Sequence, residues 1–122
     1  MKYKLFIGVT MFLSVSAHAS EWTHLAVSPS GEKSYGLSTS SSDLFPVIWY
    51  KVTDKNNHTL TISKDVIDCR KSKYSIKEIS TYNNMGAVTS KKSYTFNSWN
   101  EITPGSMGEF EYAFACHRDL TP

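Results

Sequence analysis

The sequence predicts an α+β, mainly β fold: an antiparallel sheet with one C-terminal helix packed on a face and tethered there by a disulfide. Three observations lead to it. Short runs rich in β-branched and aromatic residues recur between clusters of Ser, Asn, Asp, Gly and Pro, the pattern of strands and turns. Beyond Pro104 the apolar period changes from that of a strand to that of a helix. The chain's two cysteines are Cys69, in the strand-rich part, and Cys116, near the end of that helix.

The first nineteen residues stand apart. Met1 to Lys4 is short and basic, Leu5 to Ala17 is apolar, and Ala17-His18-Ala19 has the small-x-small form of a signal-peptidase site. The apolar run is shorter than the roughly 20 residues of a membrane-spanning helix. Cleavage after Ala19 leaves residues 20–122, the length of a single domain. Lys2 and Lys4 leave with the signal, so 11 basic residues face 11 acidic ones. Such a balance does not describe a nucleic-acid binder. Ser20 stands where a lipoprotein would carry its cysteine, so no membrane anchor is expected, and the product is periplasmic or secreted. In an oxidising compartment two thiols pair. A Cys69–Cys116 bridge closes a loop of about 48 residues, worth roughly 3.5–4.5 kcal/mol in the chain-entropy account.

The elements follow in order. Trp22 to Val27 is a short apolar run stopped by Ser28-Pro29-Ser30-Gly31. Ser34 to Leu37 is a second short strand, and Ser38 to Asp43 a polar loop. Pro46 to Thr53 is the clearest strand, with Ile48, Tyr50 and Val52 on one face and Val47, Trp49 and Lys51 on the other. Asp54 to Asn57 turns the chain. Thr59 to Ser63 alternates like a half-buried edge, and Val66 to Cys69 reads as a separate extended piece after Lys64-Asp65. Tyr74 to Tyr82 and Ala87 to Phe96 are joined by Asn83-Asn84-Met85-Gly86, a hairpin signal. Finally Ser106 and Glu109 form a capping box, with Ser106 as N-cap. Met107, Phe110, Ala113 and Phe114 then recur on one helical face, so a helix from about Met107 to Arg118 lays Phe110 and Phe114 on the sheet.

No residue pattern points to catalysis or to a cofactor. His24, His58 and His117 have no second ligand at metal-binding spacing. Ser106 is not in a Gly-x-Ser-x-Gly elbow. Asp65 and Asp68 read as carboxylates that solvate a strand edge and balance Lys64 and Arg70. Among the aromatic residues, Trp49, Tyr82 and Tyr94 are candidates for exposed binding anchors. The zero net charge hides a dipolar distribution. Residues 64–92 hold seven basic side chains and three acidic ones. Lys71, Lys73 and Lys77 share a face if the strand is unbroken, and Lys91 and Lys92 approach it across the hairpin. These five lysines are the candidate patch for an acidic partner.

An ordered set of landmarks adds to this reading. Trp22 is followed by Val47-Ile48-Trp49, by Cys69 with the basic run to Tyr74, and by Tyr82-Asn83-Asn84-Met85-Gly86. Then come Trp99-Asn100-Glu101-Ile102-Thr103-Pro104-Gly105-Ser106 and a helix bearing Cys116. Together they resemble the surface-adhesin protein E domain of Gram-negative bacteria, over nearly all of residues 20–122. The resemblance implies an antiparallel sheet of about six strands with the helix on its concave side. It also implies a non-enzymatic binding domain whose partners are host glycoproteins of the laminin, vitronectin or plasminogen type. The rival expectation is a soluble periplasmic inhibitor or immunity-type protein.

Overall fold

The structure is a computed structural model that describes residues 21–39, 44–95 and 98–117. The signal-peptide expectation and residues 40–43 of the polar loop lie outside these. Six strands run in sequence order across one antiparallel sheet: β1 (Thr23–Val27), β2 (Lys33–Ser38), β3 (Val47–Thr53), β4 (Thr59–Asp68), β5 (Lys73–Tyr82) and β6 (Val88–Ser93). A two-residue β7 (Asn100–Glu101) pairs with β5 beside the β4–β5 turn, and α1 (Met107–Cys116) covers one face of the sheet.

The turns form through side chains that mimic backbone. In the β3–β4 hairpin Asp54 Oδ1 accepts from the N–H groups of Asn56 (2.8 Å) and His58 (2.9 Å). Those hydrogen bonds, that from His58 foremost, hold the Asp54 carboxyl below its usual range. In the β5–β6 hairpin Asn83 Oδ1 accepts from Met85 N–H (2.9 Å) and Ala87 N–H (3.1 Å). Gly86 there takes a φ of 84°, which side chains with a Cβ rarely adopt. The predicted hairpin is present, with a shorter second strand than the Ala87–Phe96 run: β6 is Val88–Ser93, and Phe96 lies outside the described residues.

The region 59–69 differs from its reading. Thr59 to Asp68 is one ten-residue strand, not an edge piece and a separate segment, and it pairs with β3 on one side and β5 on the other. Polar side chains do not prevent this, because the ladder is made by backbone groups. The alternation still decides which residues face α1: Thr61, Ser63, Asp65 and Ile67 do, and Leu60, Ile62, Lys64 and Val66 face away.

The core under the helix is small. Ile48 and Ile67, both 0% exposed, meet Cys69 and Ala115, with Tyr74, Tyr112, Phe114 and Cys116 packed around them. The Cys69–Cys116 bridge is formed, with its Cα atoms 5.7 Å apart, and Tyr112 donates its hydroxyl to the Cys69 carbonyl at 3.0 Å. Two anchors therefore fasten the last turn of α1 to the end of β4. At Gly36 the Phe114 ring lies against the β2 backbone, so close that an added Cβ would come within 2.7 Å of it.

These anchors rotate the helix from its expected orientation. Its buried residues are Glu111 and Ala115, while Phe110 is 41% exposed. The inward stripe is Gly108, Glu111 and Ala115 in place of Met107 and Phe110, a turn of one residue or about 100°. The apolar period alone chose a face; the disulfide and Tyr112 chose another. The capping box is also incomplete. Ser106 is the N-cap, but its side chain makes no cap hydrogen bond and donates instead to the Thr103 carbonyl at 2.6 Å. Glu109 Oε1 accepts from Gly105 N–H at 3.0 Å, one residue before the cap. The helix ends at Cys116, where His117 turns left-handed (φ 56°); Arg118, the expected end, lies outside the described residues.

Candidate functional site

The sheet has one face under α1 and one outer face, and chemistry gathers on both. On the outer face Tyr35 pairs with Lys51, Trp49 with Lys64, and Lys64 with Glu78, so these side chains stand side by side across four strands. Lys51 Nζ lies 4.6 Å from the Trp22 ring centroid and 4.9 Å from that of Tyr35. Lys64 Nζ lies 5.8 Å from the Trp49 centroid. His24 packs edge-on to Tyr35 at 5.3 Å. Partial burial lowers the pKa of Lys51. The result is a field of ammonium groups over aromatic rings, each contact worth about 0.5–1 kcal/mol at an exposed site.

The five lysines read from the sequence do not all join this field. Lys71 is in the turn before β5, which begins at Lys73. The register shifts between the pairs Lys64–Glu78 and Asp65–Ile76, and the extra residue is Lys77. That bulge breaks the period of two on which a shared face of Lys71, Lys73 and Lys77 depended. Lys73 is on the outer face, 3.4 Å from Glu101. Lys91 pairs with Ser80 on that face and reaches Glu78 at 4.0 Å, whereas Lys92 pairs with Ile79 and faces the helix side. Of the three candidate anchors, Trp49 is half-buried beneath Lys64, Tyr82 is half-buried, and Tyr94 is exposed.

Sequence reasoning missed Trp22, Tyr35, Lys51 and Lys64 as a group. The signal was the aromatic-Lys alternation of Trp49 and Lys51 on one strand face, but their partners come from β1, β2 and β4.

The two carboxylates read as edge groups are buried, Asp65 under the helix and Asp68 opposite Lys73 at the end of β4. Asp68 accepts at 3.1 Å from the N–H groups of both Arg70 and Lys71, and so closes the β4–β5 turn. Asp65 is 2% exposed and meets Glu111 of α1, 4% exposed. Burial, then the neighbouring Asp65, pushes Glu111 well up. Burial raises Asp65 too, against hydrogen bonds from Glu111 and Ser63 that favour its anion. A proton on the pair is therefore favoured on Glu111, whose side chain hydrogen-bonds to Asp65. Tyr50 beside it is pushed up to about 12, chiefly by burial. These groups line a cleft of about 380 Å³ between the start of α1 and the sheet.

The fold is thus a helix strapped to a sheet by a disulfide, with lysines and rings on the open face. A family model described as Surface-adhesin protein E matches residues 46–117, more than half of the chain. The chain belongs to that family. It is thus an adhesin-like protein of an exported class, and the match spans β3 to α1, with β1 and β2 before it. No curated protein and no solved structure matches it. Among the described residues no helix is long and apolar enough to cross a membrane.

Proposed function

We propose that the protein is a non-enzymatic exported binding domain whose outer sheet face docks an acidic or sulfated segment of a host glycoprotein, of the laminin, vitronectin or plasminogen type. The observation that carries this reading is the placement of Lys51 over Trp22 and Tyr35 and of Lys64 over Trp49. Rings hold the ammonium groups in place and offer flat apolar area beside them, the combination that anchors protein interfaces. Lys73 and Lys91 extend the face toward β6, each tempered by a carboxylate. Of the rest of the basic set, Lys71 stands at the turn, Lys77 at the bulge and Lys92 on the far side.

The test is binding of the purified protein to immobilised laminin, vitronectin and plasminogen at low and high salt. Affinity for at least one should fall with salt, as screening shortens the reach of surface charge to about 8–10 Å. A Lys51→Glu/Lys64→Glu variant with unchanged circular dichroism should lose at least about tenfold, or 1.4 kcal/mol. Equal binding by the variant at both salts would overturn the assignment. Cell fractionation separates this reading from a periplasmic inhibitor or immunity-type protein: the adhesin must reach the surface or the medium, and confinement to the periplasm would favour the rival.

A further inference from the structure

The cleft beneath α1 is lined by three carboxylic acids, Asp65, Glu101 and Glu111, and none of its lining residues is Lys, Arg or His. Glu101 is exposed at its margin and meets Lys73 on the outer side. Asp65 and Glu111 are different. Both are more than nine-tenths buried, they bond to each other, and Asp65 Oδ1 and Glu111 Oε2 are each left without a hydrogen-bond partner. Buried acceptors left unmade are costly, and buried carboxylates ordinarily face a cation. Every element packed around the pair contributes neutral or acidic groups: Tyr50 from β3, Ser63 from β4, Tyr74 from β5, Glu101 from β7.

The other wall is apolar. Ile76 stands opposite Asp65 across the β4–β5 ladder, Ile79 stands opposite Ser63, and Ile102 lies just beyond β7. A carboxyl pair at one side and three isoleucines at the other suit a charged head on an aliphatic stem. The volume of about 380 Å³ lies within the range of small-ligand sites. A metal ion is a poorer fit, since no group of three His, Cys, Asp or Glu side chains among the described residues is placed to hold one.

We infer that this cleft receives an alkyl cation, the ammonium or guanidinium end of an aliphatic chain, with Asp65 and Glu111 as its anionic partners and Ile76, Ile79 and Ile102 along its stem. The entering cation takes the place of the proton the two carboxyls share, so one proton leaves as one cation binds. Two sources carry this chemistry: a Lys or Arg side chain of a partner protein, and a free polyamine. The site is on the opposite side of the sheet from Lys51 and Lys64 and stands independently of the reading given to them.

The experiment is an amide-resolved NMR titration of the protein with N-acetyl-lysine methylamide, its neutral analogue N-acetyl-norleucine methylamide, and spermidine. The lysine probe or spermidine should shift the amides of Ser63, Asp65 and Glu111, and the norleucine probe should not. Affinity should rise with pH by up to about tenfold per unit while Glu111 still holds its proton. Glu111→Gln, which keeps a neutral hydrogen-bonding group, should weaken binding at least about tenfold without lowering the melting temperature. Lys51→Glu/Lys64→Glu should bind the probes as the parent does. A lysine probe that outbinds spermidine assigns the site to a partner's side chain, and the reverse order assigns it to a polyamine. Shifts no larger for the cations than for norleucine, or unaltered binding by Glu111→Gln, would show that the cleft holds only water and would overturn the inference.

Discussion

Gly36 on β2 is the point where α1 presses hardest on the sheet, and a single methyl group tests that contact. A Cβ built there lies 2.7 and 2.8 Å from two ring carbons of Phe114 and 3.2 Å from Leu25 Cδ1. The ring cannot easily retreat. Phe114 is two residues from Cys116, which is bonded to Cys69, and Tyr112 is tied to the same residue. Overpacking of this kind costs about 1–3 kcal/mol. Replacing Gly also restricts the unfolded chain, which offsets about 0.4–1 kcal/mol. Gly36→Ala should therefore destabilise by about 0.5–2 kcal/mol, and each kcal/mol lowers the melting temperature by about 4–8 °C in a domain of this size. Phe114→Ala, at a half-buried site, should itself fall at or below the lower end of the roughly 3–5 kcal/mol for a buried Phe. In that background the obstacle is gone, and Gly36→Ala should be neutral or stabilising by up to about 1 kcal/mol. Thermal and urea unfolding of the four proteins of this cycle measure it. Equal destabilisation by Gly36→Ala in both backgrounds, or none in the parent, would refute the contact.

Two further outcomes follow from the rotated helix. Phe110→Ala should cost less than about 1 kcal/mol, because the ring is 41% exposed; a loss above about 3 kcal/mol in urea unfolding would restore the orientation expected from the apolar period. The Asp65–Glu111 pair sets a pH dependence of stability: both carboxyls are raised in the fold, so their contribution is complete below the ordinary carboxylate range and is lost as pH rises through the folded value of Glu111. Melting temperature should thus decline as pH rises above the ordinary carboxylate range in the parent and decline less in Glu111→Gln, and parallel profiles would contradict the shared proton.

Local chemistry was enough for much of this molecule. Asp54, Asn83 and Gly86 dictate their turns because the hydrogen bonds and the positive φ are made within a few residues. Strand density from Val47 to Thr53, the change of period after Pro104 and the pairing of two cysteines likewise point to a sheet, a terminal helix and a bridge between them, and each is present. Ser106 was legible as the N-cap for the same reason, although its hydroxyl finds Thr103 rather than the helix.

What tertiary structure decided lies between elements. A period shows that a helix has an inner face, but Phe110 and Glu111 are one position apart, and the Cys69 anchor at the far end selects which of them turns inward. The bulge at Lys77 shifts the register of β5 against β4, and nothing in the run from Lys73 to Tyr82 announces it. Asp65 reads as a solvated acid because its partner is 46 positions away in sequence and reaches it only when α1 closes on β4. Lys51 and Trp49 show the same limit on the outer face, where the rings of Trp22 and Tyr35 arrive from other strands. Sequence alone determined most of the elements and the covalent tie, since those depend on neighbours along the chain, whereas β4 reads as two pieces and β7 is not read. The orientation of the helix, the buried acid pair and the lysine-aromatic face depend on contacts between segments far apart in it, and only the folded arrangement chose them.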